Sequence, residues 1–283
     1  MFEHLLSSTG MAVQNRCAAL ISLFFAVGMS VTFAERLAAN ALYAEGGLMS
    51  WRVLSFDRAG NGALFRQPEF ARLLFGRSGA SAGHVLGLAG TLLVALSPLR
   101  SYPFTAGLAM AVLSAMLVHL RSTYAGDGAQ QMNLVVGVAL LLGFNPWVTP
   151  ATGAVCLLFI SAQSALSYLA SGAAKLISPI WMGGDALRRI LATTAFGSEL
   201  GFRLASFHPG LTRFLCRATV ILEAVFPLLL AGPKWLVIVF LAWGAAFHLA
   251  NAILMGLNTF FWAYLSTYPA LYFAWLFLHP HAR

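Results

Sequence analysis

Charge is scarce in this sequence. Only 9% of its 283 residues are Asp, Glu, Lys or Arg, against about 25% in soluble domains. So few charges cannot cover a water-facing surface, which excludes a soluble enzyme, a disordered chain and a coiled coil. Acids are scarcest: nine, against 17 Lys and Arg, for a net charge of +8. The basic residues form no patch interleaved with exposed aromatics, the usual footprint of nucleic-acid binding, so no nucleic-acid partner is expected. Cysteine is limited to Cys17, Cys156 and Cys216. An odd number with no CxxC pair gives neither a redox motif nor a zinc site, and all three read as small packing residues. The sequence holds no phosphate-binding loop, HExxH, GxSxG or carboxylate–histidine metal cluster, so metal catalysis and serine hydrolysis lack support and no metal is expected. The first residues, with Glu3 and His4 and no Lys or Arg before Arg16, do not read as a cleavable signal peptide.

What the sequence has is apolar length. Hydrophobic residues make up 59%, mean hydropathy is +0.79, and the apolar residues fall in long continuous runs rather than the alternating segments of a barrel. Lipid admits only helices or closed barrels as spanning structures. The expected fold is therefore all-α: a polytopic helical membrane protein in a single domain over residues 1–283. The runs lie at about Cys17–Tyr43 (interrupted by Glu35-Arg36), His84–Leu99, Tyr102–Leu120, Met132–Val148, Ala151–Leu176, Leu215–Ala231, Trp235–Met255 and Thr259–Leu278. That gives about eight spans, since a ~30 Å hydrocarbon core needs about 20 residues. Two long polar stretches, Ala44–Gly83 and Ser178–Arg213, separate them, the second reading as amphipathic helices on the membrane surface. Membrane lipid is the expected partner. With eight spans, 11 of the 17 basic residues share one side with both stretches, and the positive-inside rule assigns that side to the cytoplasm.

Polar groups inside the runs are the candidate chemistry. Gln163, Ser167, Ser171 and Lys175 recur every four residues on one helix face. Small and hydroxyl residues of this kind also serve simply to pack membrane helices. An intramembrane Lys either snorkels to the interface or points inward as a functional group; desolvated, it can act as a general base. His248 and Asn251 share a face one turn apart, with Asn258 seven residues on, and Glu223 sits inside Ile221-Leu-Glu-Ala-Val-Phe-Pro227. Lys175, Glu223 and His248 are expected to face one interior site, because mutual pairing reduces the cost of burying each alone. The alternative is a polar network that only ties helices together. Between Arg121 and Gln131 the short loop contains Asp127-Gly128, a turn signal that also offers Asp127 and Gln130 to a site.

Several segments together resemble the HTTM membrane-protein family. Tyr43-Ala-Glu-Gly-Gly-Leu48-Met-Ser-Trp51 is similar to its "Y-x-x-G-(hydrophobic)-L-P" segment, and His119 to Gln131 to its "R…GGD" loop. Ser171-Gly-Ala-Ala-Lys175-Leu with Trp181 and Gly184 resembles its "AG-x-x-K…W…G" element. Glu223-Ala-Val-Phe-Pro227 and His248 to Phe260 resemble its two late helices. The family is similar to the membrane part of vitamin K-dependent γ-glutamyl carboxylase and includes short bacterial SdpB-like members associated with maturation of a secreted peptide toxin. The resemblance implies Lys175 as the base for quinol chemistry, with Glu223 and His248 beside it. It implies Asp127, Gln130, Ser171, Trp181 and Asn251 as substrate- or cofactor-binding residues and a quinone or hydroquinone as cofactor. It also implies a secreted peptide precursor and a companion maturation protein as partners, in a bacterial cytoplasmic membrane. The chain departs from the carboxylases in having no His within Gly126-Asp-Gly-Ala-Gln-Gln131 and no large extracytoplasmic domain. Its length and loop look closer to the short bacterial members. In the carboxylases the lysine site opens to the lumenal side, so the resemblance places the basic side outside, opposite to the charge count. A non-enzymatic binding or immunity-like role is the competing expectation.

Overall fold

The computed structural model describes residues 7–58, 67–121 and 127–281; the side chains of Asp57 and Arg58 are outside the description, as are Arg66 and most of the loop after Arg121. Among the described residues there is helix and no strand. The long elements are α1 (Ser8–Ala38), followed by the short α2 (Trp51–Arg58) and α3 (Pro68–Phe75), then α4 (Arg77–Leu96), α5 (Tyr102–Arg121), α6 (Gly128–Gly143) and α7 (Pro150–Leu176). Three short helices come next, α8 (Pro179–Gly183), α9 (Ala186–Leu191) and α10 (Glu199–Phe207). The chain ends with α11 (Pro209–Val225), extended by a 3₁₀ segment Phe226–Ala231, α12 (Lys234–Met255) and α13 (Asn258–Leu278).

Local chemistry sets the boundaries. Ser7, Asp127, Thr149 and Ser198 each cap a helix by accepting from a backbone N–H three residues on, which satisfies an orphan donor of the first turn. Pro150 and Pro209 occupy first-turn positions, where the missing N–H is harmless. Gly256 ends α12 at φ 70°, a left-handed cap that glycine adopts without steric cost. This cap also corrects the expected polar stripe. Asn258 does not continue the face of His248 and Asn251; it opens α13 and donates to Glu35 Oε1 at 2.9 Å.

Among the described residues six helices are long and apolar enough to cross a membrane: α1, α4, α5, α7, α11 with its 3₁₀ extension, and α12. The chain therefore has multi-pass membrane character. The other two expected spans fall short for different reasons. With 16 residues, α6 is about 24 Å long at 1.5 Å per residue. The 21-residue α13 is long enough but rich in Tyr, Trp, Ser and Thr.

The helices pack in two rows. One runs α4, α1, α13, α12; the other runs α5, α6, α7, α11. Ile21, Phe33, Leu108, Leu140, Leu157 and Leu271 are fully buried between them. Leu20, Leu92, Leu113, Leu166, Val239 and Ile253 remain exposed on the long helices, as surfaces facing hydrocarbon require. The chain alternates direction, so α7 and α12 end where α6 and α13 begin, and α8–α10 close over that same end against α11.

Candidate functional site

A cavity of about 470 Å³ opens at that end, walled by the last turns of α7 and α12, the first turns of α6 and α13, the middle of α11 and the short helices α8 and α9. At its heart is an ion pair. Lys175 Nζ lies 2.5 Å from Glu223 Oε2 and 2.5 Å from Ser171 Oγ. The lysine side chain is 19% exposed and the carboxylate 4%. Close approach of α7 and α11 makes the pairing possible: Gly172 lies against the backbone of Glu223 and Ala224, where a Cβ would collide. The Lys175 ammonium also lies 5.2 Å from the centre of the Trp181 ring, within cation–π range. Trp181 is brought there by α8, whose Met182 carbonyl accepts from Arg217 Nε at 3.1 Å. The Cys216 thiol accepts from Leu187 N at 3.4 Å and so pins α9 to α11.

A second polar group lines the wall opposite. His248 is 5% exposed; its Nε2 is 2.8 Å from Tyr168 Oη, which in turn is 2.9 Å from Tyr268 Oη. The imidazole stacks on Tyr264 at 4.5 Å between centroids, and Tyr168 stacks on Phe226 at 3.8 Å. Tyr264 also bonds Ser167, and Ser164 bonds Thr267 at 2.9 Å, so α7 and α13 are held together by hydroxyl pairs. His248 Nδ1 is buried with no hydrogen-bond partner. A buried imidazole nitrogen without a partner costs free energy, and this one belongs to a residue that lines the cavity.

The structure brings together Lys175, Glu223, His248, Asp127, Ser171, Trp181 and Asn251 around this cavity. Gln130 is the exception. Asp127 caps α6 by accepting from Gln130 N at 2.8 Å. The Gln130 side chain lines a different cavity. Gln163 lies on the expected stripe but does not line the cavity. Sequence reasoning missed Tyr264, which lines the cavity, and Tyr268 and Phe226, which bond to and stack on Tyr168 behind it. No group of His, Cys, Asp and Glu among the described residues is arranged to hold a metal ion.

No family model, curated protein or solved structure matches the chain.

The geometry itself limits the chemistry. Aromatic faces and apolar side chains make up most of the walls, and the charged and imidazole groups sit at three points, the Lys175–Glu223 pair, His248 and Asp127. Such a site suits a flat, largely apolar molecule with one or two polar atoms. Lys175 donates to Glu223 across a 2.5 Å contact. His248 is linked to Tyr268 through Tyr168, a chain of exchangeable hydroxyl protons.

Proposed function

We propose that this chain is an eight-span membrane protein of the HTTM type, in a bacterial cytoplasmic membrane, whose cavity binds a quinone or hydroquinone. In this reading Lys175 acts as the base, Glu223 holds the displaced proton, and the chemistry serves maturation of a secreted peptide together with a companion protein. The observation that carries it is the joint placement of a buried Lys–Glu pair and a partnerless His248 nitrogen on one aromatic-walled cavity. A polar network that only ties helices together would be dry and fully paired. Ring stacking on Trp181, Phe260 or Tyr264 would orient the ligand, and Ser171 and Asn251 would hydrogen-bond its oxygens. Asp127 would cap the opening.

The test is ligand binding followed by base replacement. A short-chain ubiquinone added to the purified chain in detergent is expected to quench tryptophan emission saturably, and Trp181→Phe to remove that component. No saturable quenching would overturn the cavity reading. For the base, Lys175→Arg keeps the charge but does not deprotonate in a protein, while Lys175→Met removes both charge and base. A base role predicts that both variants insert and fold but lose peptide maturation. Near wild-type maturation by Lys175→Arg would eliminate it and favour a binding role for the lysine.

A further inference from the structure

A second cavity, of about 390 Å³, lies at the same end of the bundle between α1, α4 and α5, partly roofed by α2 and α3. It shares no lining residue with the first. Arg121 closes α5 and is only 6% exposed. Its guanidinium is held in place by backbone carbonyls: Nε donates to Phe75 O at 2.9 Å and Nη2 to Met49 O. It also sits 4.6 Å over the Tyr43 ring. Arg36 lines the same space. No Asp or Glu does, and among the described residues neither arginine has a carboxylate within ion-pair distance. Two arginines thus line a partly enclosed volume that no described carboxylate lines; Asp127 and Glu35 act on Arg36 from outside it, whereas the buried Arg121 guanidinium has no described carboxylate near it and is short of an anion.

His84 supplies an independent pointer. It is 2% exposed and lines the cavity; Nε2 is 3.3 Å from Tyr43 Oη, and Nδ1 is buried with no hydrogen-bond partner. When the tyrosine hydroxyl donates to Nε2, the neutral imidazole carries its proton on Nδ1, the tautomer in which that atom donates to an anion. Two arginines and one imidazole N–H are the donors that phosphate oxygens require. Leu54, Leu74, Phe75, Leu117 and Val118 give the cavity an apolar wall that a free inorganic ion would not use, and Ser114 and Gln130 add polar lining.

We infer that this cavity binds the phosphate of an anionic membrane phospholipid, with Arg36, Arg121 and His84 on the phosphate oxygens and the leucine wall against the start of the acyl chains. The experiment uses the full chain in detergent and follows retained lipid by native mass spectrometry. Phosphatidylglycerol, phosphatidylcholine and inorganic phosphate are the three probes. Retention of phosphatidylglycerol well above phosphatidylcholine is expected, with no displacement by millimolar phosphate. Arg36→Gln, which leaves the Arg121 carbonyl contacts in place, should weaken phosphatidylglycerol retention about tenfold or more, the usual worth of a charge-assisted hydrogen bond. Arg189→Gln, an exposed arginine on α9, should leave it unchanged. Equal retention of the two lipids by the unaltered chain would overturn the proposal without recourse to any variant. Displacement of the lipid by inorganic phosphate would also overturn it, marking a free-anion site. An equal loss in Arg36→Gln and Arg189→Gln would reduce the effect to general surface charge and overturn it too.

Discussion

The Lys175–Glu223 pair sets the energetics at the scale of single residues. Removing one partner from a buried pair typically costs about 3–5 kcal/mol, because the other is left uncompensated. Lys175→Met leaves a carboxylate that is 4% exposed, so a loss near that size is expected in unfolding of the detergent-solubilised chain. The double variant Lys175→Met/Glu223→Leu should recover most of it. Additive destabilisation in the double-mutant cycle would show the two groups to be uncoupled. These residues were legible in the sequence because an ionisable group inside an apolar run stands out against its surroundings. Tyr168, Tyr264 and Tyr268 did not stand out as a connected set. Tyrosine is ordinary in membrane helices, and its partners are fixed by which helices are neighbours, a fact that no local spacing carries. Gln130 shows the converse: proximity to Asp127 in sequence suggested a shared site, but in the fold it lines the cavity of Arg36 and Arg121.

Between elements, the contact that builds the site is the approach of α7 to α11 at Gly172. Gly172→Val should force these helices apart, at a cost of about 1–3 kcal/mol for overpacking, and separate Lys175 from Glu223. A variant with unchanged stability and unchanged quinone quenching would contradict that geometry. Helix identity was readable from apolar length, yet helix ends were not. The start of α4 is at Arg77 and that of α11 at Pro209, a first-turn proline, both ahead of the apolar runs that announced them, because hydropathy marks the apolar stretch of a helix and not its first turn. Hydropathy ranks α13 below the six candidate spans. Its Ser266 and Thr267 are fully buried and bond backbone carbonyls one turn back, and its neighbours are α1, α6, α7 and α12. A helix surrounded by protein is released from the requirement to be as greasy as lipid.

For the molecule as a whole, the alternation of helix direction makes topology testable. Gln14 Nε2 donates to Pro150 O at 2.9 Å and Arg100 Nη1 to Val148 O at 3.0 Å, which ties the start of α1, the α4–α5 turn and the α6–α7 turn into one end of the bundle. Cysteines introduced at the exposed Leu48 and Leu200 should therefore label from one side of the membrane, and those at Trp147 and Trp235 from the other. Labelling of positions 48 and 147 from the same side would remove α6 as a span and with it the eight-span topology. The position of α13 has a consequence for biosynthesis. The helix with the most enclosed surface is the last of the described helices to leave the ribosome. Until it arrives, the faces of α1, α6, α7 and α12 that will receive it stand open to lipid, among them the hydroxyls of Ser164, Ser167 and Tyr168. Insertion and closure are therefore separate events in time: the early helices must wait in the bilayer as a half-built barrel of staves, and quality-control proteases have that interval in which to judge the nascent chain.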